Sequence, residues 1–143
     1  MPTIAFHFNA PGKLAYACRL LRKAAASGST VAVVGDAALL SKLDEQLWSF
    51  SALDFVPHGR IESMAPEQRQ STPIWLCDSA PQGKGRQVLV NLTQKVPEGF
   101  DAYERVIEVV SQEDTDRQSA RLRWKHYSEG GYEIVRHDLN VAS

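Results

Sequence analysis

Two apolar strand-like runs separated by one amphipathic helix, with a second helix close behind, restrict this chain more than any other feature. "TIAFHF" (3–8) sets Ile4, Phe6 and Phe8 against Thr3, Ala5 and His7, the two-residue period of a strand, and places His7 on the less buried face. "APG" (10–12) breaks the run. Apolar residues then recur at 14, 17, 18, 21, 24 and 25, with Arg19, Arg22 and Lys23 opposite, and Gly28 suits the C-terminal cap. "TVAVV" (30–34) has no polar face, as expected of a strand buried on both sides. Asp36 is placed to cap a second helix that turns Leu40, Leu43 and Leu47 inward and Lys42, Asp44 and Glu45 outward. Parallel neighbours need long crossovers, usually helical. The β-α-β-α opening therefore predicts an α/β fold with three α/β/α layers around a mostly parallel sheet.

The rest of the chain continues less regularly. Residues 51–73 hold three prolines and read as loop with one short strand. "IWLC" (74–77) and "QVLVNL" (87–92) read as strands separated by the polar turn "DSAPQGKGR". "RVIEVV" (105–110) is another strand. "SQED" (111–114) then matches a capping box for a helix over about 112–128, closed by Gly130-Gly131 and followed by a last strand, "YEIVRH" (132–137). With no repeat and no linker, 143 residues read as one domain over 1–143. Cys18 falls in a helical pattern and Cys77 in a strand, so both are expected as buried thiols in a reducing, cytoplasmic protein. The N-terminus has no basic region leading into an apolar run. No apolar stretch approaches the roughly 20 residues of a membrane span.

Several chemistries lack their residues. The first strand-to-helix turn, "NAPGKL", offers Gly12-Lys13 but neither the earlier glycine of a phosphate loop nor the Ser/Thr after the lysine. "QGKGRQ" (82–87) is glycine-rich, but it lies between strands and has no helix N-terminus to meet an anion. There is no nucleophile elbow. His7, His58, His126 and His137 have no metal-ligand spacing, and Glu113, Asp114 and Asp116 suit a solvated first helical turn better than an acid/base pair. No catalytic residue, metal or cofactor is expected. With 16 Lys and Arg against 17 Asp and Glu, strong direct binding of nucleic acid is not expected either.

Against that balance, "RLRWKHY" (121–127) is cationic and aromatic with no carboxylate inside it. On a helix Arg117, Arg121 and Lys125 form one stripe, Trp124 flanks it, and Ala120 leaves a shallow space. Basic residues in the last turns of a helix and a tryptophan in the core would explain the same letters. Yet three cations in line repel one another, and cations beside an indole suit an acidic peptide ending in an aromatic residue and a free carboxylate.

Three segments carry a family resemblance: "LDEQLWSFSALDFVPH" (43–58), "VLVNL" (88–92), and "RLRWKHY" with the strand after it. With the order of elements, they resemble the chi subunit of bacterial DNA polymerase III holoenzyme, an accessory protein of the clamp loader. The resemblance implies a non-catalytic replication adaptor. One of its partners would be the acidic C-terminal tail of single-stranded-DNA-binding protein, which ends in Pro-Phe. The other would be the psi subunit, so that DNA is reached only indirectly. The tail-binding motif falls on Arg121, Trp124 and Lys125. Arg121 and Lys125 would hold carboxylates, and Trp124 and Tyr127 would line the phenylalanine pocket. Trp124 stands where the motif often has tyrosine. The psi-contact motif falls on Trp48, Phe55 and Pro57, although Trp48 closes a helix and also fits a plain core position. Two rival readings stay open: a degenerate Rossmann-like nucleotide-binding enzyme using "NAPGKL" and "VVGDAA", and a direct single-strand binder stacking bases on Trp124 and Tyr127.

Overall fold

The structure, a computed structural model, describes residues 1–49, 57–81 and 86–139. Strands β1 (Thr3–Ala10), β2 (Val31–Val34), β3 (His58–Arg60), β4 (Ile74–Cys77), β5 (Val88–Asn91), β6 (Arg105–Ser111) and β7 (Ile134–Asp138) form one sheet in the order β3-β4-β2-β5-β6-β1-β7. Every adjacent pair is parallel. Helices α1 (Lys13–Ala26) and α2 (Ala37–Ser49) cover one face, and α4 (Asp114–Glu129) covers the other. A three-layer α/β fold is what the opening pattern predicts.

The local reasons match the expected ones where the apolar period is strong. Val31 to Val34 are all buried, with α1 and α2 above them and the α4-side core below. Leu40, Leu43 and Leu47 are buried on α2, and the Leu39 amide donates to Asp36 Oδ1 at 2.8 Å. Gly28 has φ +81°, where glycine alone is unstrained, and its amide donates to the Ala25 carbonyl. Both cysteines are free and buried, and burial raises both thiols. Among the described residues no helix is long and apolar enough to cross a membrane.

The strand order adds what the sequence left open: β4 and β5 flank β2 on either side. Three expectations change. The proline-bearing stretch contains an unexpected short helix, α3 (Pro66–Ser71), with proline at its first position and the Gln68 side chain accepting the Ala65 amide at 2.9 Å. His7 is buried, with 7% of its surface exposed, because the rings of Tyr16 on α1 and His137 on β7 pack against it. Finally, α4 starts at Asp114, two residues later than the "SQED" box implies, and no side chain caps Glu113. The Ser111 amide donates instead to Asp116 Oδ2 at 2.7 Å, while Lys13 Nζ lies 3.1 Å from Asp116 Oδ1.

Asp116 is therefore a buried tie between the first helix and the last, and not part of a solvated turn. Burial pushes its carboxyl up, but the Ser111 amide and the Lys13 ammonium outweigh it and hold the group below its usual value. A carboxyl lowered in the folded state stabilises above its unfolded pKa, and that contribution is lost as pH falls through the folded value. Asp116→Asn is expected to lower stability by about 2 kcal/mol at pH 7. It should also remove that share of the acid loss. Urea unfolding at pH 7 and pH 3 checks both, and an equal deficit at the two values would contradict the ion pair.

Candidate functional site

Parallel register builds the site from one row across the sheet. Asn91 pairs with Glu108, Glu108 with Phe6 and Phe6 with Arg136, so these four side chains share the α4 face. α4 lies over the row and turns Asp116, Ala120, Arg123 and Tyr127 into it, positions spaced as one helical stripe. Arg123 Nε donates to Glu108 Oε1 at 2.9 Å, the Tyr127 hydroxyl donates to Glu108 Oε2 at 2.6 Å, and Asn91 Nδ2 reaches both oxygens at 3.0 Å. Burial raises Glu108 above the ordinary carboxylate range, opposed by the Arg123 charge and these hydrogen bonds.

Beside this network a cleft of about 290 Å³ opens between α4 and the β1–β7 edge. Phe6, Phe8, Val110, Ala120 and Trp124 give it apolar surface, and Arg117, Arg121 and Arg136 supply its charge. The three arginines are exposed, and Trp124 and Phe8 are half-buried. The Trp124 and Phe6 rings sit 5.0 Å apart between centroids. The Arg136 guanidinium lies 5.2 Å from the Phe8 ring centre and 5.8 Å from that of Trp124. Among the described residues no carboxylate lines the cleft. Such an arrangement can hold an anion against guanidinium groups while taking a flat apolar side chain onto its floor.

Of the residues singled out from sequence, the structure brings Arg117, Arg121 and Trp124 into this cleft and confirms the shallow place at Ala120. Lys125 does not line it. Its side chain is 74% exposed, with Nζ 3.9 Å from Glu129 on the solvent side of the helix. Tyr127 is fully buried against Phe6 and Phe100, so its ring belongs to the core and cannot form a pocket wall. Arg123, which reads as part of the cationic segment, is also internal. Phe6, Phe8, Val110 and Arg136 had no local signal, because strand pairing alone carries them to α4.

At the far edge, Trp48 is 58% exposed with its ring 5.3 Å from that of His58, and Pro57 is exposed. Phe55 lies outside the described residues. His58 Nε2 contacts Asp44 Oδ1 at 2.8 Å, which ties the start of β3 to α2. The "NAPGKL" lysine is engaged as well, since Lys13 Nζ contacts Asp116 and donates to the Leu92 carbonyl at 3.3 Å. Among the described residues no group of His, Cys, Asp and Glu could hold a metal ion.

The profile of the family described as DNA polymerase III chi subunit, HolC, matches residues 1–135. The chain belongs to the DNA polymerase III chi subunit family. The DNA polymerase III subunit chi of Pseudomonas aeruginosa is 38% identical over 128 residues, covering 89% of this chain and 87% of that protein. The Haemophilus influenzae chi subunit is 30% identical over 123 residues, covering 82% of this chain and 81% of its own. The Escherichia coli chi subunit is 30% identical over 94 residues, covering 65% of this chain and 62% of its own. Chi is an accessory subunit of the polymerase III holoenzyme and not a catalytic one. Among solved structures, the C-terminal domain of the DEAD-box protein Dbp5 superposes with a TM-score of 0.57 at 12% identity, covering 96% of this chain and 90% of that one. At that identity the likeness concerns the fold alone.

Proposed function

We propose that this chi-family chain is a replication adaptor that binds the acidic C-terminal tail of single-stranded-DNA-binding protein in the α4 cleft and meets the psi subunit at the Trp48 surface. The observation that carries the first part is the cleft itself: three exposed guanidinium groups around an aromatic floor, with no carboxylate among the described residues that line it. The tail's terminal phenylalanine would lie on Phe6, Phe8 and Trp124. Its carboxylate and upstream aspartates would meet Arg121, Arg117 and Arg136. Lys125, outside the cleft, adds only long-range attraction. The exposed indole of Trp48 beside exposed Pro57 supports the second part, because an aromatic left in solvent suits an interface anchor better than a core position.

A fluorescent acidic peptide ending in Pro-Phe should bind the wild type at a micromolar Kd, about −8 kcal/mol. The arginines are exposed in the free protein. Arg121→Ala or Arg136→Ala is therefore expected to weaken binding about tenfold, nearer the rim-charge range than the loss of a buried pair. Lys125→Ala should change it less than threefold. No binding to the folded wild type, or equal losses at Lys125 and Arg136, would refute the assignment of the cleft.

A further inference from the structure

The opposite face of the sheet carries a second cationic site. α1 takes the chain from β1 across β6 and β5 to β2, so its layer covers the middle of the sheet and leaves the β1–β7 edge without a described helix on that side. A groove of about 510 Å³ runs along this margin. Its cations are Arg19 and Lys23, one turn apart on α1, and Arg105 at the start of β6. All three are exposed, and among the described residues none has an ion-pair partner and no carboxylate lines the groove. A merely solvated face of a chain with 17 acidic and 16 basic residues would mix the signs.

The rest of the lining is neither purely apolar nor purely charged. Val88, Val90 and Ile107 give it an apolar floor. Tyr16 and His137 present rings on either side of His7, at centroid distances of 5.7 and 4.6 Å. His7 Nδ1 is hydrogen-bonded to the Tyr16 hydroxyl, while its Nε2 is buried and has no partner. A buried polar atom of that kind is uncommon in a finished core and marks a place where something else can bond.

We propose that this groove binds a short single-stranded nucleic-acid segment, with backbone phosphates on Arg19, Lys23 and Arg105 and a base beside Tyr16 and His137 within reach of His7. Phosphate and sugar contacts draw on Arg, Lys, Ser and Tyr, and Ser27 and Ser29 complete that set at the end of α1. Sequence-tolerant single-strand binding combines a cationic groove with rings on which bases stack. An acidic peptide would satisfy the cations but would bring no flat, polar-edged partner for the rings and for His7. The proposal does not depend on the tail reading, since the two sites lie on opposite faces of the sheet.

The test is fluorescence anisotropy of the full chain with a labelled octathymidylate, from about 20 to 200 mM salt. Three phosphate contacts on a single strand predict a slope of log K against log salt of about −2. The double variant Arg19→Ala/Lys23→Ala should weaken binding at least tenfold at low salt and flatten the slope to about −0.7. Arg105→Ala should weaken it severalfold, and Arg121→Ala should leave it unchanged. The altered groove side chains are exposed, and an unchanged circular dichroism spectrum and urea midpoint for these variants would show that their folds are intact. Absence of oligonucleotide binding at low salt, loss through Arg121→Ala instead, or equal binding of an octaglutamate peptide would each overturn the proposal.

Discussion

Replacing Arg123 with alanine is expected to lower stability by about 3–5 kcal/mol at pH 7, the largest single-residue effect anticipated on α4. Arg123 is only 2% exposed, donates to Glu108 through Nε at 2.9 Å and donates to Ser119 Oγ through Nη1 at 2.9 Å. Removing the guanidinium leaves the fully buried Glu108 without its countercharge, and the remaining donors, Asn91 and Tyr127, are neutral. Glu108 would then take up a proton more readily, so the deficit should shrink from pH 7 to pH 5. The double variant Glu108→Leu/Arg123→Leu removes both charges and should recover part of the loss, because apolar replacements of a buried pair are often close to neutral. Recovery stays incomplete, since the Tyr127 hydroxyl loses its acceptor. Urea unfolding followed by circular dichroism decides it. A deficit below about 1 kcal/mol for Arg123→Ala would mean that water reaches Glu108.

That network also explains what the sequence conceals. The opening strands and helices are legible because their apolar residues keep one period, and a packed core rewards that pattern directly. On α4 the stripe that faces the sheet is Asp116, Ala120, Arg123 and Tyr127, while Leu122 is 71% exposed. Two charged residues occupy core positions and a leucine lies in solvent, so hydropathy points the wrong way. The spacing of 116, 120, 123 and 127 was the usable signal: a small residue and an aromatic seven apart, with charges filling the same face. Missing it puts Tyr127 in the pocket and leaves Arg123 among the solvent cations.

The other half of the cleft was not legible at all. Phe6 and Phe8 read as one face of a strand, but which helix covers that face depends on strand order. That order places β1 between β6 and β7, more than 90 residues away in sequence. Arg136 reads as an ordinary charge on a terminal strand until register sets it beside Phe6. His7 was misplaced for the same reason. Alternation in β1 marks two faces, but not that Tyr16 of α1 and His137 of β7 close over His7 on the second one.

The burial of His7 sets the second large effect, an acid-side loss of stability of about 3 kcal/mol between pH 6.5 and pH 4. Burial lowers its pKa from 6.5 to about 4, helped by the nearby charges of His137 and Arg105. Over that window the unfolded chain holds the proton and the folded chain does not, so stability rises with pH through it and is full above 6.5. At about 1.4 kcal/mol per unit, the difference between 6.5 and about 4 gives the expected size. His7→Phe keeps a flat ring between Tyr16 and His137 and removes the titration. Its stability at pH 7 should fall modestly, since the Tyr16 hydroxyl loses its partner. Its change from pH 7 to pH 4.5 should be smaller than the wild type's by about 2–3 kcal/mol. Every other titratable group is common to both proteins, so the difference between the two curves isolates the histidine. Parallel curves for the two proteins would mean that His7 protonates in place, with the ring reaching solvent along the α1 groove.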